Sequence, residues 1–374
     1  MAEFLYIHIP YCIRKCLYCD FLSLPFNEQS VRRYIESLCR ELEIKKNTAD
    51  ILRTIFIGGG TPTLLPKDCF KRLFSCLREN FDISDEIEIS VEANPGTVNS
   101  SKIDSLLSLG INRISMGIQS LHDNELKTLG RIHTADEALE AIRLIKNSGL
   151  ENFSVDLMYG IPGQTIETWK ETLSKTIDLS PSHISSYELT PEEGTPLWKL
   201  IKDNAIRMPE EGLVLDMYDH AIDFLQGRGY AQYEISNFAL PGYRCLHNLN
   251  YWNRGEYIGA GAGAHSFIQG VRSQNTGDIK TYIDSLSDDI VPEAETGEIS
   301  DEEALKEFIF LGLRKTEGLS LTQAIKLRPD FIGTCAELIE SSYLVISDNY
   351  LRLTRKGLPL SNMVIVRLFE RLRL

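Results

Sequence analysis

The sequence has 374 residues, 43% hydrophobic and 25% charged, which excludes a disordered chain and leaves room for a barrel-sized domain with a smaller appendage. Its 39 basic and 53 acidic residues give a formal net charge of -14, which excludes nucleic acid and anionic membranes as general partners, because an acidic chain gains nothing from counterion release. No apolar run approaches the roughly 20 residues that span a bilayer. Met1-Ala2-Glu3 has no positively charged n-region, so the expectation is a cytoplasmic protein without a membrane span.

Strand and helix alternate six times over the first 190 or so residues. Strand-like runs are predicted at 4–10, 54–58, 86–92, 113–119, 152–159 and 183–189, with helical patterns between them, among them 29–44, 68–79 and 135–147. The last of these opens on a capping box, Thr134-Ala-Asp-Glu137, and stops before Gly149. Repeated strand–helix units with short connections predict an α/β fold with a parallel sheet, and six units predict a partial (β/α)6 barrel. A further helix at 210–230 leads into a Gly-, Asn- and aromatic-rich stretch of little periodicity. From Asp301 the order helix, helix, then a β-wing at 344–346 and 351–354 predicts a mainly helical, winged-helix-like module with no basic stripe for DNA. The expected organisation is a barrel at 1–235, a connecting segment at 236–300 and a C-terminal module at 301–374.

Three of the eight cysteines lie together directly after the first strand, as Cys12-Ile-Arg-Lys-Cys16-Leu-Tyr-Cys19. A zinc site wants a fourth local ligand, usually from a second CxxC pair. Three thiolates on one loop instead suit three irons of a [4Fe–4S] cube, leaving the fourth iron open to a chelating ligand. Zinc completed from afar, or three incidental cysteines, is the rival reading. Cys39, Cys69, Cys76 and Cys335 fall in helical patterns and read as core or helix-face residues.

Polar and glycine residues recur at the C-terminal ends of the strands. These are Gly58-Gly-Gly-Thr-Pro-Thr63, Glu92-Ala-Asn-Pro95, Gln119, and Asp156 before Tyr159-Gly-Ile-Pro162. In a parallel barrel such ends share one face, where active sites sit. Individually, Gln119 and Asp156 are equally explained as helix caps, and the glycines as a flexible turn. His8 alternates with Tyr6 and Pro10 and reads as interior-facing or as a satisfied core histidine. Tyr18, between two of the cysteines, reads as a shield for a cluster or a neighbour of adenine.

The CxxxCxxC spacing resembles the radical S-adenosylmethionine (SAM) family. That resemblance implies that the amine and carboxylate of the cofactor chelate the open iron. Tyr6-Ile-His-Ile-Pro-Tyr-Cys12, Gly58–Thr63, Ser115-Met-Gly-Ile-Gln119 and Asp156-Leu-Met-Tyr-Gly-Ile-Pro162 resemble, more narrowly, the oxygen-independent coproporphyrinogen III oxidase branch. The resemblance implies cluster ligands Cys12, Cys16 and Cys19, and SAM contacts at Tyr6, Tyr18, Gly59, Gly60, Thr61, Glu92, Gln119, Arg131 and Asp156. Glu92 or Asp156 would accept from ribose hydroxyls or the amine, and Arg131 would hold a carboxylate.

Two departures separate this chain from the oxidases. Their fourth cysteine, two residues beyond the third, is Phe21 here, and their N-terminal extension has no counterpart before the first strand. With Phe21, the motif His247-Asn248-Leu-Asn-Tyr251-Trp252 resembles the HemW haem chaperones of the same branch. What this implies is a haem-binding chaperone carrying a [4Fe–4S] cluster and SAM, which passes haem to an acceptor protein. The alternative is an oxidative decarboxylase of coproporphyrinogen III, and turnover separates the two. His247 is the expected axial haem ligand, with Cys245 and His265 as rivals. Asn248 would orient a propionate or the imidazole, and Arg244 and Arg254 flank the motif as cations for the propionates. His247 beside two aromatics is otherwise a packing cluster. The acceptor is unidentified, and the oligomeric state stays open between a monomer and a cluster-linked homodimer.

Overall fold

Every second residue of the early strands is aliphatic, and that period of two separates a dry face from a wet one. In a computed structural model, which describes residues 1–374, the strands are β1 (Ala2–Ile9), β2 (Ala49–Gly59), β3 (Ile83–Ala93), β4 (Arg113–Gln119), β5 (Phe153–Tyr159) and β6 (His183–Glu188). A seventh, β7 (Ile258–Ala260), arrives from much later in the chain and pairs with β1. All are parallel, in the order β7-β1-β2-β3-β4-β5-β6.

Leu5, Ile7, Ile9, Ile55, Ile57, Val91, Ile114, Met116, Val155, Leu157 and Ile184 are fully buried. With them are buried the apolar stripes of α1 (Glu28–Lys45), α2 (Lys67–Asn80), α3 (Ser100–Ser108), α5 (Ala135–Asn147) and α6 (Ile166–Asp178). Each such side chain contributes about 1.5–3 kcal/mol relative to exposure. Most of the intervening residues are polar, among them Tyr6, His8, Ser115 and Asp156. Register sets Ser90 beside Arg113, Glu92 beside Ser115, Ser154 beside His183 and Asp156 beside Ser185. The inner face of this sheet is therefore lined with hydroxyls and charges.

Capping explains where several helices begin. Asn27 accepts from the Ser30 amide at the start of α1, and Thr134 and Glu137 form the expected capping box of α5. A short helix not expected from the sequence, α4 (Asp123–Leu129), precedes α5 and ends on Gly130 at φ 75°. A Cβ at Gly130 would meet the Leu17 Cγ at 2.6 Å, so only glycine lets this turn approach the cysteine loop. The Leu17 amide donates to the Leu129 carbonyl across that approach at 3.0 Å.

The chain divides into two compact units, residues 1–221 with 256–297, and residues 222–255 with 298–374. The expected boundaries differ from these. The segment expected to connect barrel and module is shared out, because Ile258–Ala260 forms β7 and the His265–Ile268/Val271–Asn275 hairpin follows it in the first unit. Within the second unit lie the helix Leu246–Trp252 and the helix Asp301–Arg314, whose capping box is Ser300 and Glu303. Helices Leu321–Leu327 and Phe331–Glu340 precede the antiparallel wing Leu344–Ser347/Tyr350–Leu353, in the order the sequence predicts. No helix is long and apolar enough to cross a membrane.

Candidate cluster and cofactor site

The loop after β1 starts with Tyr11 and Cys12 bridged to Leu24 and Pro25, which closes it into a compact excursion. Of the eight cysteines, only Cys12, Cys16 and Cys19 are partly exposed; the other five are buried. The Cys19 amide donates to the Cys16 carbonyl at 3.3 Å, holding the second and third cysteines in one turn. Burial pushes the Cys12 and Cys19 thiols up, and the charge of Cys16 adds to the effect on both. Three thiolates so placed repel one another unless a cation-rich group takes their charge. No three His, Cys, Asp or Glu side chains converge closely enough for a single metal ion.

A chain of side chains ties this loop to the strand ends. Cys12 Sγ lies 3.6 Å from Thr61 Oγ1, and Asn94 Nδ2 donates to the same hydroxyl at 2.8 Å. Arg131 donates to Asn94 Oδ1, to the Gly117 carbonyl at 2.5 Å and to Cys16 Sγ at 3.5 Å. Thr61, Asn94 and Arg131 thus link the ends of β2, β3 and β4 to two of the three cysteines. The sequence reading passed over Asn94, although it stands inside the Glu92–Pro95 run.

His8 fastens the loop from below. Its Nε2–H donates to the Leu22 carbonyl at 3.1 Å, which leaves Nδ1 to accept from the Tyr6 hydroxyl at 3.0 Å. Burial holds its pKa below the usual range, so the ring stays neutral. This is the satisfied core histidine, with a positioning task. Gly59, at φ 115°, faces the same ring; a Cβ there would meet it at 2.7 Å. At Gly60 a Cβ would meet the Tyr11 carbonyl oxygen at 2.6 Å. The two glycines therefore let the backbone pass close to β1 and its loop, where the Gly60 amide donates to the Ile9 carbonyl at 2.9 Å.

Glu92 accepts from the Gly59 amide at 3.0 Å. Burial pushes its pKa up to about 7, with Asp156 adding to the rise and the Gly59 amide and Arg113 opposing it. Asp156 accepts from Ser115 Oγ at 2.9 Å and Ser154 Oγ at 3.0 Å; Ser154 in turn accepts from His183 Nδ1 at 2.8 Å. Gln119 closes β4 in a left-handed conformation, φ 67°, at a register shift against β5. A non-glycine residue held there is strained, and such strain gathers at ligand sites. Tyr18 packs against the cluster of Leu129, Met158, Ile161, Leu189 and Leu197, with the charge of Arg131 nearby. One connected face thus gathers the cysteine loop, the Gly59–Thr61 turn, Glu92, Arg131 and Asp156.

A family model described as the Radical SAM superfamily matches residues 6–176, and one described as the HemN C-terminal domain matches 299–360. The protein called "Heme chaperone HemW" of Bacillus subtilis (strain 168) is 36% identical over 367 residues, spanning 96% of this chain and 97% of that protein. The chain belongs to the HemW family of radical SAM proteins. A HemW of Escherichia coli (strain K12) is 41% identical over 267 residues, spanning 71% of this chain and 70% of its own. The solved coproporphyrinogen III oxidase (HemN) from Escherichia coli, a radical SAM enzyme, superposes with a TM-score of 0.86 at 22% identity, covering 98% of this chain and 90% of that one. That likeness establishes the fold. Membership of the superfamily implies a [4Fe–4S] cluster and SAM.

The second unit holds the HemW-like motif. His247 is only 1% exposed, its Nε2 is 3.0 Å from the Tyr251 hydroxyl, and its ring meets Tyr251 edge-on. Cys245 is fully buried, and the Trp252 ring lies under the Arg314 guanidinium at 4.9 Å. The flanking cations are already engaged: Arg254 is paired with Glu307 at 2.7 Å and Arg244 stands over Tyr233 at 5.8 Å. His265, in the first unit, is exposed, though partial desolvation of its ring, then the charge of Arg272, holds its pKa down.

Proposed function

We propose that this protein is a haem chaperone that binds haem stoichiometrically and passes it to an acceptor protein. The observation that carries the reading is similarity along almost the whole chain to relatives that bear that name. The substitution of Phe21 for the oxidases' fourth cysteine supports it further.

Cys12, Cys16 and Cys19 would hold the cluster, whose chemistry when bound with SAM is one-electron transfer. Around it the chain's own residues have separate tasks. Arg131 places a cation beside Cys16 and can take a carboxylate. Glu92 and Asp156 offer acceptors for an amine or ribose hydroxyls. The Gly59–Gly60 backbone comes close because no side chain stands in the way, its amides held by Glu92 and the Ile9 carbonyl, and Gln119 extends a neutral amide from the end of β4. Tyr18 and its apolar neighbours exclude water from one side. Haem is cargo in this reading, and His247 is its axial ligand.

The deciding experiment uses one anaerobically reconstituted preparation for three assays: acid-labile sulfide, haem titration and anaerobic turnover of coproporphyrinogen III. The chaperone reading expects sulfide, saturable one-to-one haem binding and no decarboxylation. Release of CO2 with consumption of SAM overturns it in favour of the oxidase. Zinc without sulfide in the wild type removes the radical SAM assignment of the loop.

A further inference from the structure

We propose that Glu125 and His133 are positioning residues that hold Gln119 in a strained turn and so aim its amide at SAM, an inference that rests on the reading of Gln119 as a SAM contact. The turn itself is local. Gly117 and Gln119 pair with Asp156 and Leu157 of β5, and the register passes over Ile118 between them. The Ser120 amide donates to the Ile118 carbonyl, two residues back, at 2.9 Å, with Gln119 at φ 67°. That is a γ-turn with its central residue at positive φ, a rare and strained form. It sets the Gln119 amide over Gly117, because a Cβ on that glycine would meet Gln119 Nε2 at 2.9 Å and Asn94 Oδ1 at 3.1 Å. The amide thus stands beside the same Asn94 that Arg131 holds.

A non-glycine residue keeps such a conformation only where its surroundings over-determine it. Two buried side chains do so here. His133 Nε2–H donates to the Ile118 carbonyl at 3.1 Å, and a carbonyl only accepts, so this nitrogen carries the proton. Burial, then the charge of Arg131, holds the ring's pKa down to about 4, so it is a neutral donor near pH 7. Two residues earlier in the same loop, Arg131 donates to the Gly117 carbonyl, and one loop thereby clasps two consecutive carbonyls of β4.

On the other side of the turn, Ser120 Oγ donates to Glu125 Oε2 at 2.6 Å. Glu125, on α4 and 4% exposed, also accepts from Gln164 Nε2 at 3.0 Å and Thr168 Oγ1 at 2.6 Å. Those donors come from the loop after β5 and the first turn of α6. Glu125 anchors Ser120 and His133 anchors Ile118, so a Gln119 that relaxed to negative φ would pull one or the other from its partner. A buried hub of this kind stabilises a fold wherever it sits. What marks this one as positioning is the strained residue trapped between its two anchors.

The test is a double-mutant cycle on the SAM affinity of cluster-loaded protein, read by equilibrium dialysis, with labile sulfide measured on the same samples. Gln119→Ala should weaken SAM binding by about two- to tenfold, the worth of a hydrogen bond or so. His133→Phe, which keeps a ring but loses the donor, should weaken it by a similar factor with sulfide at the wild-type level. In the Gln119→Ala background His133→Phe should cost nothing further, since the side chain it aims is gone. His133→Gln, which keeps an N–H for Ile118, should bind SAM within about twofold of the wild type. Glu125→Gln, on a separate element, should follow His133→Phe, so a His133→Phe protein that loads no cluster leaves the cycle intact. Losses that multiply with that of Gln119→Ala, or wild-type affinity in both His133→Phe and Glu125→Gln, overturn the proposal while Gln119 keeps its contact. Wild-type affinity in Gln119→Ala removes the contact itself, and the positioning role with it.

Discussion

The Arg131 guanidinium stands 3.5 Å from the Cys16 sulfur while another of its nitrogens is held on the Gly117 carbonyl at 2.5 Å. A fixed cation beside a cluster thiolate favours the extra electron of the reduced cluster, because charge and hydrogen bonds to sulfur set the potential. Arg131→Gln should therefore load a cluster, read as labile sulfide, yet lower its midpoint potential. A drop on the order of 50 mV corresponds to about tenfold in a one-electron equilibrium. Arg131→Lys, which keeps the charge but loses the fork, should fall between. A redox titration giving the wild-type potential in a loaded Arg131→Gln protein would show that the contact is only structural.

Glu92 gives a pH dependence whose sign can be worked out. Its folded-state pKa, raised from 4.5 to about 7, means the folded protein binds its proton more tightly than the unfolded chain does. The associated stability is fully present below about pH 4.5 and is lost as pH rises through about 7. Glu92→Gln stays neutral throughout and keeps an acceptor for the Gly59 amide. Against the wild type it should be nearly equal in stability near pH 5 and more stable at pH 8, by on the order of 3 kcal/mol. Its SAM affinity should fall at pH 8, where the wild-type carboxylate is charged. Urea unfolding of both proteins at the two pH values checks the first statement; a stability difference that does not change with pH defeats it.

Gln119 tests whether backbone strain is held for the ligand. Its φ of 67° costs a non-glycine residue about 1–2 kcal/mol. Gln119→Gly and Gln119→Ala both remove the amide side chain, so both should weaken SAM binding alike. Only the glycine variant sheds the strain, and it should unfold about 1 kcal/mol later than the alanine variant even after its larger chain entropy is counted. Calorimetry with a SAM titration on the same samples reads both effects. Equal stability in the two variants leaves no strain to explain.

The contrast between β4 and β7 shows what the sequence made legible. Residues 113–119 carry aliphatics at every second position, and the strand falls where that alternation predicts. The Cys12–Cys19 spacing and the in-phase polar strand ends likewise need only local reading. Ile258-Gly-Ala260 has no alternation to find; it becomes a strand because β1 offers it an edge, a contact some 250 residues away in sequence. The same holds for Asn94, whose importance lies in bridging Thr61 to Arg131, and for the close approach of Leu17 that Gly130 permits. Such residues are defined by what crosses them in space, and no periodicity announces them. Arg254 was expected to meet propionates from its place beside the motif, but proximity in sequence did not reveal its partner Glu307.

The haem ligand offers a sharper test, because the three candidates are so differently placed. His247 is buried with Nε2 at the Tyr251 hydroxyl, Cys245 is fully buried, and His265 is exposed. For His247 to ligate iron through Nε2, the hydrogen bond to Tyr251 must break and the short helix Leu246–Trp252 must open. Tyr251 then acts as a latch, and removing its hydroxyl lowers the cost of opening by about 0.5–1.5 kcal/mol. Tyr251→Phe should accordingly bind haem about two- to tenfold more tightly than the wild type. His247→Ala should lose affinity and change the axial-ligand spectrum while its cluster content stays at the wild-type level. His265→Ala should bind as the wild type does. The reverse pattern, with His265→Ala losing haem and both motif variants unchanged, would move the ligand to His265: there a neutral, exposed imidazole needs no opening, and the burial of His247 against Tyr251 would be packing alone.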